Sequence, residues 1–241
     1  MRTNIIIQAR MSSTRLPGKI LKPLADKEVL WHIIERCKNS KADEIIIATS
    51  DHQSDDIVEN KCNEWSTPFV RGDLENVLSR YLVASQKYPA DNYVRITGDC
   101  PLIDPAIIDL IIDSLKGNDY TTNVINRDFP QGLDVEAFTA DALSKATELA
   151  HTDREKEHVT LIMRENEDSH FKTKDVTMPA EYQYPQFRLT LDTEEDYTLF
   201  DKIYNEFYRA GSIIDVPEVI QWLAKHPEIA QINNKVEQKK A

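Results

Sequence analysis

Three short stretches of the chain hold side chains able to do phosphate chemistry. The first is Gln8-Ala9-Arg10-Met11-Ser12-Ser13-Thr14-Arg15-Leu16-Pro17-Gly18-Lys19, with two guanidiniums, one ammonium and small hydroxyl residues around a Pro-Gly turn. Arginine offers a planar fork to phosphate oxygens, lysine a compact charge, and backbone N–H groups around Ser12–Thr14 an anion nest. The competing reading of such a stretch is a solvated basic loop. The second, Arg95-Ile96-Thr97-Gly98-Asp99-Cys100-Pro101, carries Asp99 in a Gly-Asp-x-Pro turn. The third, Leu189-Thr190-Leu191-Asp192-Thr193-Glu194-Glu195-Asp196, carries Asp192 just ahead of a helix start. Magnesium prefers one or two carboxylates completed by substrate phosphates and water. Against that stand a plain turn at Asp99 and helix capping in the third motif, which suits Thr193 and Asp196. Cys100 reads as a small buried hydrophobe, not a nucleophile. A Walker A loop is excluded, since Ser13 and Ile20 occupy the positions of its first glycine and its hydroxyl, and no dinucleotide glycine fingerprint occurs.

The elements that must position these stretches alternate between β-branched runs and helical spacing. Strands are expected at Asn4–Gln8, Glu44–Thr49, Thr67–Val70 and Tyr93–Thr97, with helices at Val29–Lys38, Asp55–Asn63, Asn76–Lys87 and Ile107–Leu115. Asp104-Pro105 opens the last of these with a cap and a proline at the first helical position. Continuous apolar strands between helices imply a mostly parallel sheet covered on both faces, a doubly wound α/β unit. In such a sheet ligands lie beyond the carboxyl ends of the strands, where the basic loop and Asp99 both fall. After Tyr120–Val124 the rhythm changes. Strands at Leu133–Phe138 and Phe171–Val176 and helices at Ala140–Leu149 and Glu155–Arg164 are expected, and residues 126–185 read as an insertion or arm. Phe187–Leu191 reads as a strand leading into a helix whose apolar face carries Tyr197, Phe200, Ile203, Tyr204 and Phe207. Asp215 before Pro217 opens the final helix, and Asn234–Ala241 reads as a frayed tail. With no internal repeat and no clear linker, residues 1–241 are expected to form one domain.

Composition narrows the function classes. The chain has 241 residues with 29 basic against 41 acidic side chains, a net charge of -12 that argues against a general nucleic-acid partner. Yet residues 1–38 hold eight basic and three acidic side chains, leaving +5 there and -17 elsewhere. A basic segment on an acidic protein points to a small polyanion held at one place. The apolar runs are too short to span a membrane, and no secretory signal is read at the N-terminus. Three scattered cysteines read as reduced thiols of a cytoplasmic protein. His151 and His158 are not spaced as a zinc pair.

The run from Ile5 to Gly18, continued by Lys19-Ile20-Leu21-Lys22-Pro23-Leu24, resembles the signature of the cytidylyltransferases that activate acidic sugars. The pattern is that of the spore coat polysaccharide biosynthesis protein F group, relatives of CMP-Kdo and CMP-sialic acid synthetases. Where relatives carry Gly-x-Pro after this leucine, the chain reads Ala25-Asp26-Lys27-Glu28-Val29. The resemblance implies a Rossmann-like three-layer α/β/α sandwich with a mostly parallel mixed sheet. It places Arg10, Arg15 and Lys19 on the triphosphate and assigns Asp99 and Asp192 to Mg²⁺. Gln8, Ala9, Met11, Ser12, Ser13, Arg95, Thr97 and Gly98 join the nucleotide site by the same likeness. Arg71 and Arg80, in Val70-Arg71-Gly72-Asp73 and Asn76-Val77-Leu78-Ser79-Arg80-Tyr81, read either as nucleotide contacts or as salt-bridged structural arginines. Gln131-Gly132-Leu133-Asp134-Val135-Glu136 resembles a substrate-facing segment, giving Gln131, Asp134 and Glu136, though Gly132 also suits a plain strand bend. Glu157-His158-Val159-Thr160 adds His158.

The expected activity is transfer of a cytidylyl group from CTP to a sialic-, legionaminic- or Kdo-like sugar, with pyrophosphate released and a homodimer implied by the likeness. The partners are then a nucleoside triphosphate and a small acidic sugar. Three alternatives remain: a nucleotidyltransferase acting on sugar 1-phosphates, a metal-dependent glycosyltransferase and a non-catalytic nucleotide-binding protein. The second lacks an Asp-x-Asp after a central strand.

Overall fold

Ile5, Ile6 and Ile7 are all wholly buried, which neighbouring strand residues achieve only when both faces of a sheet are covered. In the computed structural model, which describes residues 1–237, they lie on β1 (Thr3–Gln8). This strand runs parallel to β4 (Glu44–Ser50) on one side and β6 (Asn92–Thr97) on the other, with Ile5 opposite Ile45 and Val94. β5 (Phe69–Gly72) extends the sheet parallel to β4. Beyond β6 the direction reverses. β8 (Glu136–Thr139) pairs antiparallel with β6 and with β7 (Tyr120–Thr122), and β9 (Thr173–Asp175) closes the edge parallel to β7. The order is β5-β4-β1-β6-β8-β7-β9.

The two-residue period of the strands divides the core. Ile5, Ile7, Ile45 and Ile47 pack with α1 (Val29–Lys38), α2 (Asp56–Glu64), α4 (Pro105–Ser114), α8 (Glu194–Phe207) and α9 (Val216–Lys225). Ile6, Ile46 and Ala48 face α3 (Val77–Lys87), α5 (Ala140–Leu149) and α7 (Leu161–Glu165). Each fully buried isoleucine contributes about 1.5–3 kcal/mol relative to exposure. The expected three-layer α/β/α sandwich with a mostly parallel mixed sheet is therefore what the chain forms. Asp104, Thr193 with Asp196, and Asp215 cap the helices they were expected to open. Cys37, Cys62 and Cys100 are free and buried, and burial pushes the Cys37 and Cys62 thiols up to about 12. Among the described residues no helix is long and apolar enough to cross a membrane.

Several local expectations are corrected. The stretch 187–191 is not a strand: only Arg188 pairs, in a single parallel bridge to Gln131, because Leu191 N–H then donates to the Asp99 carbonyl and carries the chain away. The helix expected over Glu155–Arg164 is two short ones, α6 (Asp153–Glu157) and α7. Val159, at φ 44, breaks them, and the break turns the Thr160 hydroxyl onto Glu136 Oε2 at 2.6 Å. The strand expected from Leu133 begins only at Glu136, because the Asn123 side chain takes the Leu133 carbonyl and the Val135 N–H. β5 and β9 are likewise displaced or shorter than their apolar runs suggest. Of the expected frayed tail, residues 234–237 are placed against the body of the protein, while 238–241 lie outside the described residues.

After the basic loop, β2 (Pro23–Leu24) and β3 (Lys27–Glu28) form a tight hairpin with Ala25 at its turn. Ala25 has φ 54, a left-handed conformation that its Cβ disfavours. This is where the chain departs from the glycine of the family pattern. Ala25→Gly is expected to stabilise the protein by about 0.5–1 kcal/mol, read as a higher denaturation midpoint with turnover unchanged.

Candidate active site

The basic loop is held from beneath by a wholly buried acid. Asp55 accepts hydrogen bonds from Met11 N at 2.7 Å, Ser50 N at 3.1 Å and the hydroxyls of Thr49 and Ser50. The Met11 carbonyl then accepts from Ser13 N and Gly18 N, and Gly18 closes the loop at φ 68. Among the described residues the Ser12 and Thr14 amides donate to no protein acceptor, so they remain available to an anion. Arg10 leans away to the Leu74 carbonyl at 3.0 Å, whereas Arg15 and Lys19 turn inward.

They turn onto the two acidic motifs. Gly98 brings the exit of β6 against β1: a Cβ there would lie 3.0 Å from the Gln8 carbonyl oxygen. Asp99 follows it, with Oδ1 accepting from the Thr97 hydroxyl at 2.6 Å and Oδ2 from Lys19 Nζ at 2.7 Å. The same Lys19 Nζ lies 2.8 Å from Asp192 Oδ1. Asp192 Oδ2 takes Arg188 at 2.8 Å and Arg15 at 3.1 Å. Behind them Asp196, wholly buried, accepts from Arg188 Nε, the Asp192 and Thr193 amides and the Asn233 side chain. Three carboxylates and three cations thus form one interlocked cluster. Burial opposes the charge on Asp99, but the Lys19 ammonium and hydrogen bonds from Lys19, Thr97 and Cys100 hold its carboxyl down at about 2. Burial also opposes charge on Lys19, and the two aspartates overcome it, raising the ammonium above its ordinary value.

Two carboxylates from separate loops therefore converge on one cation. Oxygen-only donors around a point charge fit a divalent cation such as magnesium, which takes its other ligands from phosphates and water. Among the described residues no group of three or more His, Cys, Asp and Glu is gathered to hold a metal by itself, so a cation at Asp99 and Asp192 would need substrate phosphates and water to complete its shell.

Around this centre three cavities adjoin. One of about 320 Å³ lies between the basic loop, Thr97, Gly98 and the two aspartates. A smaller one of about 130 Å³ is lined by Gln8, Ala9, Arg10, Val77, Arg80 and His158. The largest, about 840 Å³, shares Thr97 and Asp99 and reaches Gln131, Asp134, Glu136 and His158. Its acids are engaged: Glu136 with Arg95, Tyr120 and Thr160, and Asp134 with Arg127. Burial works against the Glu136 carboxylate, but Arg95, Thr160 and Tyr120 keep it below its usual range, whereas burial wins at Asp134 and raises it. Gln131 Oε1 accepts from Arg188 at 3.0 Å.

A model of the cytidylyltransferase family matches residues 4–232. The chain belongs to this family. It is 36% identical over 235 residues to the spore coat polysaccharide biosynthesis protein SpsF of Bacillus subtilis, covering 93% of this chain and 95% of that protein. The structure of a cytidylyltransferase from Leptospira borgpetersenii serovar Hardjo-bovis superposes with a TM-score of 0.89 at 35% identity, covering 99% of this chain and 100% of the other. CMP:2-keto-3-deoxy-manno-octonic acid synthetase, solved with CTP, shares the fold at a TM-score of 0.60 and 18% identity, over 85% of this chain and 98% of that one. The protein is accordingly a CTP-dependent nucleotidyltransferase.

Of the residues singled out by sequence in this cytidylyltransferase, Arg15, Lys19, Thr97, Asp99 and Asp192 meet at one point. Gln8, Ala9, Arg10, Ser12, Ser13 and Gly98 border it, and Met11 serves the loop through its backbone. Arg95 fixes Gln8 Oε1 at 3.0 Å while pairing with Glu136. Arg80 is 1% exposed, reaches the Ala48 carbonyl at 3.3 Å and leaves its Nε without a partner. Arg71 is the outlier. It bonds the Ser50 and His52 carbonyls and pairs with Asp56 and Glu59, a strut between β4 and α2 that lines none of the three cavities. Sequence reasoning missed Asp55, Arg127, Arg164, Arg188 and Asn233. Only Arg188, four residues before Asp192, carried a local signal.

Gly132, at φ 101, is where the Gln131 segment crosses the Asp192 segment: a Cβ would lie 1.9 Å from the Leu189 carbonyl oxygen. Gly132→Ala is expected to cost about 3 kcal/mol through strain and overpacking and to lower kcat by displacing Arg188 and Asp192. Thermal melts combined with turnover check it, and a wild-type melt would contradict it.

Proposed function

We propose that this cytidylyltransferase moves the cytidylyl group of CTP onto a hydroxyl of an acidic sugar and releases pyrophosphate. The observation that carries the reading is Arg164. In the largest cavity Arg95, Arg127 and Arg188 are each paired with a carboxylate, while Arg164 has no ion-pair partner among the described residues. A cationic fork left without an ion-pair partner in the cavity that also reaches Asp99 suits an acceptor that brings its own carboxylate. The names of the relatives, a spore coat polysaccharide protein and a CMP-sugar synthetase, agree with such an acceptor.

In this reading the triphosphate lies along the basic loop, where Arg10, Arg15, Lys19 and the Ser12 and Thr14 amides neutralise it. The base enters the smallest cavity. There Tyr81 and Arg95 occupy Gln8 Oε1, which leaves the two Gln8 amide N–H groups as donors, with the buried Arg80 Nε behind them still without a partner. Donors suit the N3 and O2 acceptors of cytosine. The acceptor hydroxyl gives up its proton to solvent and its oxygen bonds to the α-phosphorus as the bond to the bridging oxygen breaks in line, and pyrophosphate departs against Arg15 and Lys19. Asp99 and Asp192 would hold Mg²⁺, which supplies charge stabilisation to the phosphates and the attacking oxygen. Lys19 keeps Asp99 ionised and holds the two carboxylates converging before substrate arrives. No side-chain nucleophile is required, since positioning and electrostatics carry this class of reaction.

The test is pyrophosphate release with each of the four nucleoside triphosphates, across sialic-, legionaminic-, pseudaminic- and Kdo-type acids and a set of sugar 1-phosphates. Release with CTP and an acidic sugar is expected, and release only with sugar 1-phosphates would move the acceptor to that class. Asp99→Asn is expected to remove most turnover while the melting curve is retained, and near-wild-type rates at saturating Mg²⁺ would sink the metal assignment. Arg164→Ala is expected to raise the acceptor KM by about tenfold or more, the worth of one charge-assisted hydrogen bond, with the CTP KM little changed. Equal effects on both constants would refute its role as the carboxylate anchor.

A further inference from the structure

The family model ends at residue 232, and residues 233–237 stay against the protein. Asn233 is 2% exposed and donates from Nδ2 to the Arg188 carbonyl at 3.0 Å and to Asp196 Oδ1 at 2.8 Å. Both acceptors belong to the network that holds Asp192. A turn follows, with Val236 N donating to the Asn233 carbonyl at 3.1 Å, and Asn234 and Val236 line the largest cavity. The segment ends against the nucleotide loop, where Arg15 Nη1 donates to the Glu237 carbonyl oxygen at 3.2 Å.

We propose that residues 233–237 form a strap across the acceptor side of the active site, latched to Arg15 until a triphosphate unlatches it. The inference rests on the reading that the triphosphate occupies Arg15. The Glu237 carbonyl is a neutral acceptor, and a hydrogen bond from Arg15 to an ionised phosphate is roughly twice as strong. A bound triphosphate therefore takes the guanidinium, and the strap loses its far anchor while Asn233 keeps its near one. Residues 234–237 then swing about that root and clear the Val236 side of the large cavity. Nucleotide binding thus widens the acceptor's room on the Val236 side, which favours nucleotide first and sugar second.

The decisive experiment is amide hydrogen exchange on the full chain, alone, with CTP and Mg²⁺, and with inorganic tripolyphosphate and Mg²⁺. Calorimetry in the same buffers reports whether each ligand binds. The expected result is several-fold faster exchange at residues 234–237 with both ligands, and unchanged exchange in α8. Binding with unchanged or slower exchange at 234–237 would overturn the strap and leave the proposed reaction standing. Absence of binding by either ligand would overturn the occupancy of Arg15, and the strap with it.

Discussion

One ammonium shared by two aspartates organises this enzyme. Lys19 comes from the loop after β1, Asp99 from the loop after β6, and Asp192 from the segment that opens α8. Three distant parts of the chain are thus pulled to one point, and each is braced from behind. Asp55 grips the loop of Lys19, Thr97 grips Asp99, and Arg188 grips Asp192. A buried charge left single would cost several kcal/mol. The cluster avoids this by balancing three carboxylates with three cations. The resting site is therefore a set of ion pairs waiting to exchange partners, and substrate enters without exposing a bare buried charge.

How much of this was legible in the sequence follows from how local each feature is. The central strands could be read because Ile5–Ile7 and Ile45–Ile47 are continuous apolar runs, which few structures besides a doubly covered parallel sheet accommodate. Lys19, Asp99 and Asp192 could be read because each sits in a compact motif at a strand or helix boundary. Arg71 stayed open between two readings, because a guanidinium looks the same in sequence whether it meets a phosphate or, as here, two carboxylates of α2. Asp55 and Arg164 were invisible for the opposite reason: nothing beside them in the sequence marks what they face. The Asn123 side chain standing in for a strand, and Val159 bending a helix, are tertiary choices that override periodicity.

The region that escaped the pattern, 126–185, contributes much of the largest cavity. Its irregularity has a physical basis. Glu136, Arg127 and Asp134 must point into an open space while their charges are satisfied, so turns and short strands replace regular pairing. Its two strands, β8 and β9, nevertheless belong to the same sheet as β1.

The reversal of direction between β6 and β8 has a consequence for how such an enzyme can diversify. Residues that address the nucleotide leave the carboxyl ends of parallel strands, whereas many that border the acceptor lie ahead of the amino end of β8 or in the turns around α6 and α7. The two substrates are thus served by chain segments joined at the β6–β8 pair, the Arg95–Glu136 ion pair and the Gln131–Arg188 bridge. Recolouring the turns ahead of β8, apart from Gln131 and Gly132 where they cross the Asp192 segment, leaves the phosphate loop in register with β6. A lineage built on this plan can change its sugar repeatedly while its activation chemistry stays the same.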